Sequence, residues 1–197
     1  MKNFFQSIRC GRLLFLILFS LFATNSLFAQ WTSLSTAGGD QGVLCIHNEK
    51  LLMAGLSGNL WHTTNEGTTW GGTPSYFASN GFTYALVSDG ITIYASRSGQ
   101  GIVKSTDSGV NWSQVNNGIP VSYTPALLIS GEKVFAGNSY YGVFVSTDAG
   151  ASWNTANNGI IDLEISALGG KGDTIFAGTD NGKVYCSING GQAWTEA

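Results

Sequence analysis

The sequence predicts an all-β fold: a tandem array of about four units, each with four short antiparallel strands. Three observations predict it. Trp31, Trp70, Trp112, Trp153 and Trp194 recur at intervals of 39, 42, 41 and 41 residues. Versions of one octet end at the last four of them: TTNEGTTW (Thr63 to Trp70), STDSGVNW (Ser105 to Trp112), STDAGASW (Ser146 to Trp153) and SINGGQAW (Ser187 to Trp194). Composition agrees, since 27 glycines in 197 residues, with 12% aromatic and only 11% charged side chains, favour strands joined by tight turns over disorder.

Residues 1–29 stand outside the array. Lys2, Arg9 and Arg12 flank the apolar run LLFLILFSLF (Leu13 to Phe22), and Ala29 offers a small residue for cleavage. A positive flank, a short apolar stretch and a small residue read as a secretory signal peptide. The run is too short to cross a bilayer, which takes roughly 20 apolar residues. The mature chain is therefore expected to be secreted or at the cell surface, with no transmembrane segment after cleavage. Residues 30–197 keep six basic and twelve acidic side chains, a formal charge of −6. Nucleic acid is not an expected partner, because binding it calls for a basic face. Cys45 and Cys186 remain in a context that permits disulfides, and their separate strand positions point to unpaired thiols.

The units run over about 31–70, 70–112, 112–153 and 153–194, filling residues 30–197. A first strand reads GVLCIH, TYALVS, PALLIS or ISALGG. A second reads LLMAG, TIYAS, KVFAG or TIFAG, and a third LWHTT, IVKST, VFVST or VYCSI. The octet then makes a hairpin into a fourth strand that starts at the Trp. After Trp112 and Trp153 come SQVNNGIP and NTANNGII, turns into the next unit. Four antiparallel strands in each stretch of 40-odd residues are the signature of a β-propeller blade.

The chemistry of the octet explains its recurrence. Asp107 and Asp148 sit in hairpins, where a short carboxylate accepts hydrogen bonds from nearby backbone N–H groups. Ser105, Ser146, Ser187 and Thr63 add a hydroxyl to the same local network. Gly67, Gly109, Gly150 and Gly191 supply a positive φ. Trp70, Trp112, Trp153 and Trp194 can pack a large ring beneath the turn, with the indole N–H left to find a partner. Asn65 and Asn189 replace Asp in the worn copies, and an amide does most of the same local work. These residues are read as structural staples.

The pattern S-x-D-x-G-x-x-W resembles the Asp-box, or BNR repeat, of sialidases, sortilin-type receptors, xyloglucanase-like hydrolases and certain photosystem assembly factors. The resemblance covers residues 31–197 and implies a propeller. It implies little about activity, because these families do unrelated things on one fold. A sialidase, as the resemblance implies, needs three arginines on the substrate carboxylate. Residues 31–197 contain Arg97 and no other arginine, and lysine does not reproduce the bidentate clamp. Asp-box propellers usually carry six or more blades, so a partial propeller is expected. Trp31 and TSLSTAGG match an outer strand with no octet before it, and three more strands after residue 197 would be needed to close a further blade. The alternatives left open are a fragment of a longer protein, a closed four-blade ring, and self-association of two arcs into one ring.

Few residues suggest chemistry. Asp162 and Glu164, in IIDLEIS, are weak candidates for a catalytic carboxylate pair. Their i, i+2 spacing at the start of a strand would put both on one face. Cys45 and His47 share that spacing, but no further ligands stand at zinc-like intervals, so no metal site is assigned. There is no P-loop and no G-x-S-x-G elbow, and no cofactor is implied. Tyr76, Phe77, Phe82, Tyr84, Tyr140 and Tyr141 cluster near predicted loops, where exposed aromatics can form protein or glycan contacts. The leading expectation is an exported, non-enzymatic binding module within a larger secreted or surface protein, with a protein or glycan ligand. The alternatives are a fragment of a propeller glycoside hydrolase whose catalytic residues lie outside this chain, and an assembly factor. The acidic charge disfavours the last.

Overall fold

The computed structural model describes residues 41–55, 60–72 and 81–197, and those residues form strands and turns. The expected signal peptide (1–29) and the strand expected at Trp31 lie outside them. The first antiparallel sheet contains β1 (Gln41–His47), β2 (Lys50–Gly55), β3 (Leu60–Thr63) and β4 (Gly71–Gly72). The second contains β5 (Thr83–Ser88), β6 (Ile93–Arg97), β7 (Gly101–Ser105) and β8 (Ser113–Gln114). The third contains β9 (Ala126–Ser130), β10 (Lys133–Asn138), β11 (Gly142–Ser146) and β12 (Asn154–Thr155). The fourth contains β13 (Ile165–Lys171), β14 (Thr174–Thr179), β15 (Val184–Ser187) and β16 (Thr195–Glu196). Each sheet is a meander in chain order, and the first strands of successive sheets lie against one another. These are consecutive propeller blades. The fourth strand begins one residue after the Trp, not at it as the sequence suggested.

Alternation along each strand sends successive side chains to opposite neighbours. Ile93 and Ala95 pack toward the first blade, while Tyr94 between them packs toward the third. Val134 and Ala136 face the second blade, and Phe135 faces the fourth. Three apolar cores result, one between each pair of successive blades. Strands covered on both faces read as near-continuous apolar runs, which is why TIYAS and KVFAG carry no polar stripe.

The four octets share one hydrogen-bond pattern. Ser105 Oγ donates to Asp107 Oδ1 at 2.8 Å and accepts from Gly109 N–H at 2.9 Å. Asp107 Oδ1 also accepts from the backbone N–H of Val110 and Asn111. Ser146 and Asp148 repeat this with Gly150 and Ser152. Thr63 with Asn65, and Ser187 with Asn189, repeat it through an amide oxygen. Gly67, Gly109, Gly150 and Gly191 have φ between 83° and 88°. The residue before each glycine is also left-handed, with Glu66, Ser108 and Ala149 at φ 54–58°.

In the third and fourth blades the Trp ties the octet to the blade before it, whereas Trp112 donates its indole N–H to Gly109 O in its own turn. Trp153 donates its indole N–H to Val115 O and its backbone N–H to Asn117 O, and Trp194 does the same to Ala156 O and Asn158 O. The Asn-Asn-Gly turn is built to receive it. Asn116 pins the turn to its own blade, accepting from Ile102 N–H and donating to Gln100 O, both at 2.7 Å. Asn157 does so in the next blade with Val143 N–H and Tyr141 O. Gly118 then lets the following Trp approach. A Cβ at Gly118 would stand 2.2 Å from Trp153 O, and one at Gly159 2.0 Å from Trp194 O.

Two predictions follow from these contacts. Gly118→Ala, at φ +88° and against that carbonyl, should cost about 3 kcal/mol of folding free energy in denaturant titration. Gly131→Ala has φ +61° with nothing within 4 Å, and should cost only about 1 kcal/mol. Equal losses would show that the close approach is not what matters. Second, hydrogen bonds from Asn111 and Ser152 help hold the Asp107 and Asp148 carboxyls at about 2. A depressed carboxylate adds stability above its unfolded value, which is lost as pH falls through the folded one. Melting temperature should therefore fall between about pH 4 and pH 2. The double variant Asp107→Asn, Asp148→Asn should show a shallower fall across that window, because the amide keeps the acceptor and has no proton to gain.

Candidate functional site

A four-stranded meander sorts its loops by end. Turns between first and second strands fall at the octet end. Turns between second and third strands fall at the other end, with the linkers between blades. At the octet end the carboxylates of Asp107 and Asp148 are committed to their own turns. His47 sits nearby and is buried, with Nδ1 2.7 Å from Ser88 Oγ and Nε2 3.1 Å from Ser108 Oγ. Burial lowers its pKa. Cys45 and Cys186 are free thiols, and burial pushes Cys45 up to about 11. Among the described residues no group of three or more His, Cys, Asp and Glu side chains is placed to hold a metal ion.

The linker end is different. Each linker lies against the turn of the blade it enters, through Ser98 N–H to Phe82 O, Ser139 N–H to Tyr123 O and Asp180 N–H to Glu164 O. Phe82, Tyr123 and Glu164 thus occupy equivalent places around this end, and all three are exposed. The last linker also meets the neighbouring blade, because Gly142 N–H donates to Leu163 O. That bond brings the turn that carries Tyr140 and Tyr141 against the linker that carries Ile161, Asp162, Leu163 and Glu164. Tyr140 and Tyr141 are 64% and 51% exposed and meet edge-on, their ring centres 6.4 Å apart. Tyr84 and Tyr123 make a second edge-on pair at 4.7 Å.

Asp162 and Glu164 lie in the linker, not on a strand, since β13 begins at Ile165. The expected strand-face geometry is therefore absent, and a side chain brings the pair together instead. Asn181 Nδ2 donates to Asp162 Oδ2 at 3.0 Å and to Glu164 Oε2 at 3.3 Å. Thr179 Oγ1 donates to the same Asp162 oxygen at 2.8 Å, and Tyr185 OH accepts from Asp162 N–H. The Thr179 and Asn181 bonds hold the Asp162 carboxyl below the usual carboxylate range. A glycosidase acid needs the opposite shift, so that it still carries a proton to give. Asp162 is thus suited to accepting hydrogen bonds rather than to donating a proton.

Arg97 also comes to this end but is buried, with Nη1 donating to Gln100 Oε1 at 2.7 Å and Nη2 to Gly81 O. It is not presented to a ligand carboxylate. Sequence reasoning picked out Phe82, Tyr140 and Tyr141 but passed over Tyr123, Ile161, Leu163 and Asn181. Their signal was position alone: all lie in linkers or turns that the fold gathers at one end. Tyr76 and Phe77 lie outside the described residues.

No family model and no curated protein matches the chain. Solved structures do. An ancestral GH74 enzyme superposes with a TM-score of 0.65 at 19% identity, over 82% of this chain and 24% of its own. The extracellular domain of BT4673 from B. thetaiotaomicron gives 0.66 at 16% identity, over 84% of this chain and 23% of its own. The computationally designed Ika4 protein gives 0.62 at 14% identity, over 78% of this chain and 94% of its own. This chain thus spans about a quarter of the length of the first two and nearly all of the third. At such identities the likeness is one of fold, and that fold is the β-propeller.

Proposed function

We propose that the chain is an exported, non-enzymatic binding module that takes a glycan at its linker end. The exposed aromatic strip beside a carboxylate–amide cluster carries this reading. Sugar rings offer C–H faces that stack on Tyr140, Tyr141 and Tyr123, and hydroxyls that donate to carboxylates. Asp162 stays ionised at neutral pH and, with Glu164, keeps lone pairs beyond those Asn181 uses. The octets in this reading are Asp-boxes that serve the blade and take no part in binding. The extracellular location of the BT4673 domain fits export of a chain with this fold.

The test is a glycan array followed by calorimetry on the strongest ligand. Tyr141→Ala and Tyr140→Ala should each weaken binding roughly tenfold, as expected for one lost aromatic contact of about 1 kcal/mol or more. Asp162→Asn should weaken it less, and the melting temperature should hold in all three. Release of shorter sugars from the bound oligosaccharide, abolished by Asp162→Asn, would overturn the non-enzymatic reading. An array with no glycan hit, set against a protein ligand lost in the tyrosine variants, would overturn the glycan assignment.

A further inference from the structure

His47 ends β1 at the octet end and is 1% exposed, a buried titratable group that the linker-end surface does not use. Its ring crosses to the second blade. Nδ1 lies 2.7 Å from Ser88 Oγ, at the end of β5, and Nε2 lies 3.1 Å from Ser108 Oγ in the octet. Two separate segments of the second blade thus meet on one imidazole of the first. Asn48 Nδ2 stands 3.4 Å from Nε2. The third blade has a counterpart, since Ser130 faces Lys133 across its hairpin as His47 faces Lys50. Ser130 also reaches the next blade, donating to Gly172 O at 2.9 Å. A hydroxyl makes the contact at that joint, and an imidazole makes it here.

The surroundings suit a neutral ring. One nitrogen then donates and the other accepts, and a hydroxyl can answer either. A protonated ring has two donors and no acceptor. Ser88 Oγ already accepts from Gly90 N–H at 2.9 Å, so it would have to take a second donor, and its own hydrogen could no longer go to Nδ1. Asn48 Nδ2 would then stand donor to donor with Nε2. Among the described residues, neither ring nitrogen has a carboxylate partner, and a buried charge without one is costly. Burial and Lys50 on β2 oppose the charged ring, and they outweigh Asp89, in the turn after β5, which favours it. Asp107, beside Ser108, spends its carboxylate on its own turn, and Glu49 is exposed.

We propose that His47 makes the joint between the first and second blades acid-sensitive: the neutral imidazole pins the two blades together at the octet end, and the protonated one lets the first blade loosen from the second. The device is confined to this joint, because the Ser130 hydroxyl at the third blade does not titrate. The apolar core of Leu52, Leu60, Ile93 and Trp112 spans the same joint and keeps the blades in contact. The change is therefore a local opening, not unfolding of the array. Its direction follows from linkage. The folded ring titrates below its ordinary value of about 6.5, so its stabilisation is present above that pH and is lost as pH falls through the folded value.

Hydrogen exchange at pH 7 and pH 5, corrected for intrinsic rates, tests this by comparing β1–β3 with β13–β15, alongside an NMR titration of the His47 ring. Opening of β1–β3 should rise about tenfold at the lower pH, with β13–β15 unchanged, and the ring should titrate below about 6.5. His47→Ser should remove the pH dependence, whereas His62→Gln should keep it. A ring that titrates at or above that value would overturn the proposal. So would an opening that is flat with pH or rises equally in all four blades, or a pH dependence that survives His47→Ser. If His47→Ser fails to fold, the ring titration and the contrast between blades in the wild type still decide.

Discussion

The third and fourth blades are each tied to the one before by a Trp side chain as well as by a shared apolar core. In those two blades the Trp at the end of the octet buries its ring in the core shared with the preceding blade and donates its indole N–H to Val115 O or Ala156 O, just past that blade's fourth strand. Burying a ring of that size contributes about 3 kcal/mol, and the hydrogen bond about 1 kcal/mol more. A blade without its predecessor would leave that ring in water. Stability is therefore a property of neighbouring pairs, as in other repeat arrays. The Asn-Asn-Gly turn exists because of this joint. Its first Asn stiffens the preceding blade's edge, and its Gly removes the one Cβ that would keep the next Trp away.

Much of this could be read from residue order. The Trp interval, the octet and three strands in each unit stand where the pattern placed them. What escaped notice depended on partners remote in sequence. Asn116 and Asn157 look like ordinary turn residues until Ile102 and Val143 are seen across from them. Gly118 looks like a turn glycine, and its real constraint is a carbonyl in the next blade. The left-handed residue before each octet glycine gave no signal either, because Glu66, Ser108 and Ala149 have nothing in common but their place. Asp162 and Glu164 were visible as a pair, yet the linker and Asn181 set their geometry, not a strand face.

The sorting of loops by end separates side chains that hold the frame from side chains that are free to vary. At the octet end the same few atoms must complete four identical turns, so side chains there have little freedom. At the linker end the bonds that dock each linker run between main-chain atoms, as from Ser139 N–H to Tyr123 O, and do not use the side chains of Phe82, Tyr123 or Glu164. Equivalent positions can then hold Phe82, Tyr123 or Glu164 with no change to the scaffold. This is the usual division between a rigid frame and loops that carry function. It also accounts for the lowered pKa of Asp162, whose hydrogen-bond donors Thr179 and Asn181 come from the same blade.

A repeat copies its interfaces along with its strands. The register that aims Phe135 into the third–fourth core also aims Phe176 outward, since both follow one strand pattern. The copying continues on the first and fourth blades, where Leu44 and Ile46, and Phe176 and Val184, are exposed. Apolar, unpaired sheet faces of this kind invite association. Their complementarity follows from the repeat itself, because a face that fits the next blade inside the array fits the same blade wherever it is met.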